Sequence, residues 1–98
     1  MTLDQLVSEV LAYIRNNGGR YQEWYAGITS DPQERLFTAH GVRKDGDVWI
    51  FRDAGYETTA RDAEKHLLGL GMLGDTGGGD YSTKYVYAYK VRPHTSEA

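Results

Sequence analysis

The sequence lacks cysteine, has few prolines and contains no long apolar run. The absence of cysteine excludes disulfides and thiolate metal sites and fits a reducing compartment. Two prolines argue against a long linker, so we expect a single domain over residues 1–92 and a flexible tail over 93–98. No stretch approaches the roughly 20 apolar residues of a membrane span, and the acidic start is unlike a signal peptide. We therefore expect a cytoplasmic protein without a membrane partner.

The chain also lacks a positive net charge. Its charge of −3 and pI near 5.5 count against nucleic-acid binding by the whole surface. Six acids and two bases lie between residues 53 and 80, whereas the segment from 81 onward has Lys84, Lys90 and Arg92 against Glu97. Any surface for an anionic partner must therefore be local.

The first half of the chain predicts a helix, a strand and a short helix. Thr2 and Gln5 read as a capping box before apolar residues at helical spacing, which end at Ile14. Residues 21–29 are aromatic and β-branched, which predicts a strand with Tyr25 and Gly27 on one face. Asp31-Pro32 begins the second helix, and His40-Gly41 ends it.

The second half predicts a strand, a helix and a last strand. Val48 to Phe51 is apolar on both faces, so we expect a central strand. A cap at Thr59 opens a helix over about 60–70, a glycine-rich loop occupies 74–80, and the tyrosine-rich segment 85–91 forms a strand. The order α-β-α-β-α-β predicts a small α/β domain of the α+β type. We expect a three-stranded, mainly antiparallel sheet with three helices.

Glu64 is the candidate that elementary physics singles out. On a helical wheel it falls within the apolar arc marked by Ala60, Ala63 and Leu67. A buried carboxylate is costly unless it is paired or binds a metal. Two interpretations carry equal weight: a functional carboxylate, or one at the edge of the apolar face that reaches water or pairs with an arginine.

Three further residues can carry chemistry on the short helix and the strand before it. Arg35 can hold a phosphate, pair with Glu64 or simply face solvent. Tyr25 shares its strand face with Gly27, which leaves space for something to approach the backbone, although a strand tyrosine is usually packing. His40 can act as a general base or interact with the end of the helix dipole. No histidine pair has metal-ligand spacing, so zinc is not expected.

Several of these residues form a recognisable pattern. Tyr25-Ala26-Gly27-Ile28-Thr29, Asp31-Pro32, Arg35-Leu36 and His40 together resemble the second half of the GIY-YIG nuclease signature. Tyr25 precedes Arg35 by the ten positions that this family uses, and Ala60 to Leu68 resembles its glutamate helix. The family's first Gly-Ile-Tyr strand has no counterpart ten residues earlier. Either Tyr21 shares a strand with Tyr25, or the N-terminal helix replaces that strand and one tyrosine is absent.

The resemblance implies a divergent endonuclease that hydrolyses nucleic-acid phosphodiester bonds. Glu64 would hold one Mg²⁺ or Mn²⁺ ion, Arg35 would stabilise phosphate charge, and Tyr25 or Tyr21 would help to activate water, with His40 beside them. The implied partner is nucleic acid, with DNA expected first, and a larger protein assembly can supply specificity. The alternative is an inactive GIY-YIG-like module that binds nucleic acid or protein. A small fold with an unrelated role remains if Glu64 is solvated.

Overall fold

A computed structural model of the chain describes residues 1–74 and 82–97. Its elements are α1 (Leu3–Asn17), β1 (Trp24–Thr29), a short π-helix (Glu34–Ala39), β2 (Trp49–Asp53), α2 (Glu57–Gly69) and β3 (Tyr85–Lys90). Three helices and a three-stranded antiparallel sheet confirm the predicted α+β class and element order. The predicted glycine-rich loop over 74–80 lies outside the described residues except for Gly74. None of the helices described here is long and apolar enough to span a membrane.

The central strand of the sheet is β3, which pairs antiparallel with β1 on one side and β2 on the other. The expectation that the strand at 48–51 would be central is wrong. Its two apolar faces have another cause: Ile50 packs on one face of the sheet, whereas Trp49 and Phe51 pack on the opposite face. An edge strand such as β2 can therefore be apolar on both faces, because both faces of this sheet are covered.

Two helices cover one face of the sheet and form the main core. The Thr2 capping box is present and starts α1, which packs against α2 and β2, while α2 packs over β1 and β3. Fully or nearly fully buried members of this helical-side cluster include Leu6, Val10, Ile14, Trp24, Ala26, Ala60, Ala63, Leu67, Val86 and Ala88. The apolar periodicity of both helices is thus accounted for by one continuous core.

The π-helix covers the other face, over a smaller cluster that we call the tyrosine cluster: Tyr25, Leu36, Val42, Tyr87 and Tyr89. Asp31 accepts a hydrogen bond from the Glu34 amide at 3.2 Å, as expected for the N-cap of this segment. The His40 amide donates to the Arg35 carbonyl at 3.0 Å, five residues back, which is the π-helical pattern. Gly41 follows with a φ of +71°, where the chain turns away.

Two element boundaries differ from the sequence prediction. Tyr21 to Glu23 form a 3₁₀ turn instead of the start of β1, because the Glu23 side chain folds back to accept from the Arg20 amide at 2.9 Å. The predicted cap at Thr59 is wrong, since α2 begins at Glu57 after an extended Tyr56 and already includes Thr59. Neither change moves Tyr25 or Glu64 out of its predicted strand or helix.

Gly27 lies directly opposite Tyr87 across the β1–β3 ladder. A methyl group at Gly27 would stand 2.5 Å from the Tyr87 hydroxyl oxygen and 2.6 Å from the ring carbon that carries it. These separations are far shorter than van der Waals contact, and the Tyr87 ring is buried. The glycine therefore leaves the space that the ring of Tyr87 occupies, as the sequence predicted for some unspecified group.

We expect Gly27→Ala to lower the free energy of unfolding by about 1–3 kcal/mol, because the added methyl group forces the Tyr87 ring to move within a packed cluster. Gly69→Ala is the matched control, since a methyl group there meets nothing within 4 Å in α2 and alanine has the higher helix propensity. Urea unfolding of both variants measures the difference. Equal stability of the two variants would contradict the close packing of Tyr87 on Gly27.

Candidate active site

The hydroxyl group of Tyr87 is the centre of a hydrogen-bonded group on the tyrosine-cluster face. It accepts a hydrogen bond from Arg35 Nε at 3.4 Å and lies 2.8 Å from His40 Nε2. Tyr87 comes from the central strand, whereas Arg35 and His40 come from the start and the end of the π-helix. The side chains thus meet because the π-helix lies across the strand that carries Tyr87.

The other ring nitrogen of His40 settles the direction of the His40–Tyr87 hydrogen bond. Nδ1 lies 2.6 Å from the Ser96 carbonyl oxygen, which can only accept, so Nδ1 carries the proton. Burial lowers the pKa of His40 below its ordinary value, so the ring is neutral near pH 7. Nε2 is then an acceptor, and the Tyr87 hydroxyl donates to it.

The two tyrosine hydroxyls beside His40 are held in their protonated form. Burial raises the pKa of Tyr87 to about 12, even though the hydrogen bond from Arg35 opposes the shift. Burial, followed by the hydrogen bond to Glu97, raises the pKa of Tyr89 well above its ordinary value. Tyr89 donates to Glu97 Oε2 at 2.8 Å. At physiological pH the group therefore contains neutral phenols, a neutral imidazole and a cationic guanidinium.

Tyr25 packs beside this group on β1. Its ring stacks on Tyr89 with centroids 5.3 Å apart and contacts the His40 ring at 4.7 Å. The side chain of Tyr25 is 5% exposed. The structure therefore brings the predicted residues Tyr25, Arg35 and His40 together, with Tyr87 among them.

Glu64 lies on the buried side of α2, with 3% of its surface exposed. This position confirms the inward placement read from the helical wheel, and it removes the interpretation of a solvated glutamate. Its α2 neighbours Ala60, Ala63 and Leu67 pack in the helical-side cluster, on the other face of the sheet from the tyrosine cluster. Arg35, one predicted partner for Glu64, instead directs its Nε to Tyr87.

Among the described residues, only a metal ion held mostly by water and substrate would match the carboxylates present. Within residues 1–74 and 82–97, no three His, Cys, Asp or Glu side chains cluster as metal ligands, so Glu64 would be the main protein ligand. A single carboxylate is compatible with Mg²⁺, which keeps several of its waters and binds substrate phosphates. It is incompatible with a structural zinc site, which needs four protein ligands.

Tyr21 is a candidate that the structure does not bring to this group. It lies in the 3₁₀ turn and packs against the helical-side cluster. There it lines a cavity of about 380 Å³ together with Leu11, Ile14 and Gln22. The expectation that Tyr21 shares a strand with Tyr25 is wrong, because the 3₁₀ turn ends the extended segment at Trp24 and leaves the two rings in different clusters.

The segment after β3, expected to be a flexible tail, runs back over His40. The Ser96 amide donates to the His40 carbonyl at 2.8 Å, and His94 Nε2 lies 2.6 Å from Asp47 Oδ2. Glu97 adds the contact with Tyr89. These contacts join residues 94–97 to residues 40–47 and to β3, and the first of these pairings spans too many positions for a local sequence pattern to reveal it.

Sequence reasoning missed Tyr87, Ser96 and Glu97. Tyr87 was one of three tyrosines at alternate positions on a strand, and their period indicates only a shared face. A bulky side chain opposite Gly27 is the distinguishing signal, but it exists only once the strand pairing is known. Ser96 acts through its backbone carbonyl, which no residue type identifies.

Comparison of the chain with protein-family models, with curated proteins and with solved structures found no match. Function must therefore be inferred from the chemistry of the residues themselves.

We expect Tyr87→Phe to lower the free energy of unfolding by about 1–3 kcal/mol, because the buried His40 Nε2 loses its donor. Tyr85→Phe is the matched control on the same strand and should change stability by less than about 0.5 kcal/mol, since Tyr85 is half-buried and its hydroxyl makes no hydrogen bond to the part of the chain described here. Thermal or urea unfolding of the wild type and both variants measures the two changes in stability. A neutral Tyr87→Phe would contradict the hydrogen-bonded role of this hydroxyl.

The lowered pKa of His40 predicts a pH dependence of folding. The unfolded chain binds a proton near the ordinary pKa of 6.5, whereas the folded chain resists it. The stabilisation is therefore complete above pH 6.5 and is lost as the pH falls through 6.5 towards the lower pKa of the folded state. Urea unfolding between pH 7.5 and 5 should show this loss in the wild type and in His66→Gln, which is exposed on α2. His40→Gln should show a flatter profile; an unchanged profile would contradict the assignment.

Proposed function

We propose that this protein is a divergent GIY-YIG-like endonuclease that hydrolyses nucleic-acid phosphodiester bonds with one Mg²⁺ or Mn²⁺ ion. One observation carries the proposal: the Tyr87 hydroxyl lies between the Arg35 guanidinium and a neutral His40 nitrogen that accepts its proton. This arrangement can bind a phosphate and remove a proton from water at the same point. The buried carboxylate of Glu64 on α2 would be the place for a cation.

The second tyrosine of the family pattern would come from the end of the chain. No Gly-Ile-Tyr strand precedes Tyr25, but β3 pairs with β1 and presents Tyr87 on the same face. The Tyr25 and Tyr87 rings are 6.4 Å apart between centroids and nearly parallel. Tyr87 would thus take the role that sequence reasoning gave to Tyr21. The second tyrosine would then come from a strand that pairs with β1 but follows it in the sequence.

The proton transfers follow from the hydrogen bonds. Arg35 would bind the phosphate, because its guanidinium is exposed on one side while Nε holds Tyr87. As water attacks phosphorus, the Tyr87 oxygen takes a proton from that water and passes its own proton to His40 Nε2. A new P–O bond forms, the ester P–O bond breaks, and the leaving oxygen takes a proton from solvent. With a pKa of about 12, Tyr87 relays a proton and is not a preformed phenolate.

The metal ion, when bound at Glu64, would neutralise charge on the phosphate. The chain's own contribution is to bind the phosphate through Arg35 and to hold His40 Nε2 at the Tyr87 hydroxyl as the proton acceptor. DNA remains the first expected substrate, with specificity supplied by a larger assembly because the domain is small. The cytoplasmic location expected from the absence of cysteine belongs to the same proposal.

A second candidate is a binding module on the same scaffold that does not cleave its partner. The burial of Tyr87 and Glu64, at 1% and 3% exposure, favours it, because substrate must reach the hydroxyl past Arg35. On this hypothesis the hydrogen-bonded group is a second core that stabilises the sheet, and a nucleic acid or protein binds elsewhere.

The deciding experiment begins with the metal alone. Mn²⁺ titrated into ¹⁵N-labelled protein should broaden amide signals around Glu64, Tyr25 and Arg35 in the wild type and in Asp62→Asn, an exposed carboxylate on α2. Glu64→Gln should abolish that broadening. With Mg²⁺ and fluorescent duplex, branched and single-stranded DNA, Glu64→Gln and Tyr87→Phe should each reduce cleavage by about 100-fold or more.

Two outcomes would contradict the nuclease. One is broadening that is confined to surface carboxylates and unchanged in Glu64→Gln. The other is DNA binding that needs no metal, survives Glu64→Gln and leads to no cleavage, which would support the binding module. Circular dichroism of each variant establishes that lost activity does not reflect unfolding.

A further inference from the structure

We propose that the segment from His94 to Glu97, which we call the C-terminal segment, positions His40 as a proton acceptor by holding its Nδ1–H on the Ser96 carbonyl. The inference deepens the proposed function and rests on it for its catalytic consequence. Its structural content, the fixed tautomer and orientation of one imidazole, can be tested without any substrate. Ser96 and Glu97 are positioning residues, since they act on Tyr87 only through His40 and Tyr89.

The C-terminal segment holds both the backbone and the ring of the same histidine. The Ser96 amide donates to the His40 carbonyl at 2.8 Å, while the Ser96 carbonyl accepts from His40 Nδ1 at 2.6 Å. His94 adds a contact to Asp47 at 2.6 Å, in the loop that follows the π-helix. A ring held at its own backbone and at Nδ1 has little freedom to rotate, so Nε2 stays directed at the Tyr87 hydroxyl, 2.8 Å away.

The tautomer has a direct chemical consequence. An imidazole that carries its proton on Nε2 would present a donor to Tyr87 and could not take the hydroxyl proton. The Ser96 carbonyl excludes this form because, without a proton on Nδ1, two acceptors would face each other at 2.6 Å. The segment thereby selects the only neutral form of His40 that can receive a proton from Tyr87, as an orienting acceptor does for the histidine of a hydrolase triad.

The charges around His40 act on its pKa in opposite directions. Glu97 on the C-terminal segment and Glu34 on the π-helix each act to raise its pKa, whereas Arg35 acts to lower it. Among the described residues, the other groups that face the ring are Tyr25 on β1 and Tyr87 and Tyr89 on β3. Burial keeps Tyr87 and Tyr89 protonated by raising the pKa of each. The Glu97 carboxylate, held by Tyr89 at 2.8 Å, is thus the nearby anion that would stabilise a transient imidazolium on the side away from the phosphate.

The test compares the wild type with a deletion of residues 94–98 and with Ser96→Ala. Long-range ¹H–¹⁵N spectra of the imidazole at pH 7.5 report the tautomer. We expect the wild type and Ser96→Ala to show only the Nδ1–H form, because the contact uses the backbone of Ser96. The deletion should give a mixture in which the Nε2–H form rises to at least half of the population, while amide signals of α1 and α2 stay dispersed.

If the nuclease is active, the deletion should lower kcat by at least tenfold and leave the Mn²⁺ broadening at Glu64 unchanged, which a loss of the metal site would not do. A folded deletion variant that keeps the pure Nδ1–H form would overturn the proposal. If the deletion variant does not fold, the wild type decides alone: an Nε2–H imidazole at His40 refutes the positioning, and an Nδ1–H imidazole with a hydrogen-bonded proton supports it. A fixed tautomer in a protein without nuclease activity would leave the positioning intact and refute only the proposed function.

Discussion

The structure depends on one constraint: the hydroxyl of Tyr87 is buried, so it must be hydrogen-bonded within the protein. Its ring fits against β1 only because Gly27 has no side chain. Its hydroxyl is then satisfied by Arg35 and His40 from the two ends of the π-helix. A regular α-helix would place these two side chains at a different angle to each other, so the widened turn and the hydroxyl are matched to one another.

The sheet topology explains why the last part of the chain reaches the candidate site. Because β3 is the central strand, Tyr87 and Tyr89 lie in the middle of the sheet face. The residues that follow β3 begin near His40. Residues 94–97 then need only a short path to contact His40 and Asp47. The segment after β3 thus helps to bury His40, which is 1% exposed.

The two clusters divide the stability and the chemistry of the domain. The helical-side cluster is almost purely apolar and buries the faces of α1 and α2, which is what holds a small sheet together. The tyrosine cluster contains hydroxyls, an imidazole and a guanidinium whose hydrogen bonds are each individually costly to break. A small fold can bury only a few polar side chains, so a buried polar group on one face of its sheet points to a functional role.

The sequence by itself determined the local features whose causes are local. The Thr2 cap, the apolar repeat of α1, the Asp31 cap and the inward position of Glu64 were all predicted, because capping and helical periodicity involve residues within a few positions of each other. Only the tertiary structure decided that β3 is central, that Tyr87 and not Tyr21 accompanies Tyr25, and that Ser96 contacts His40. These features join residues that are tens of positions apart in the sequence. Strand order and contacts to backbone carbonyls do not depend on which residue types are neighbours in the sequence, so no local pattern predicts them.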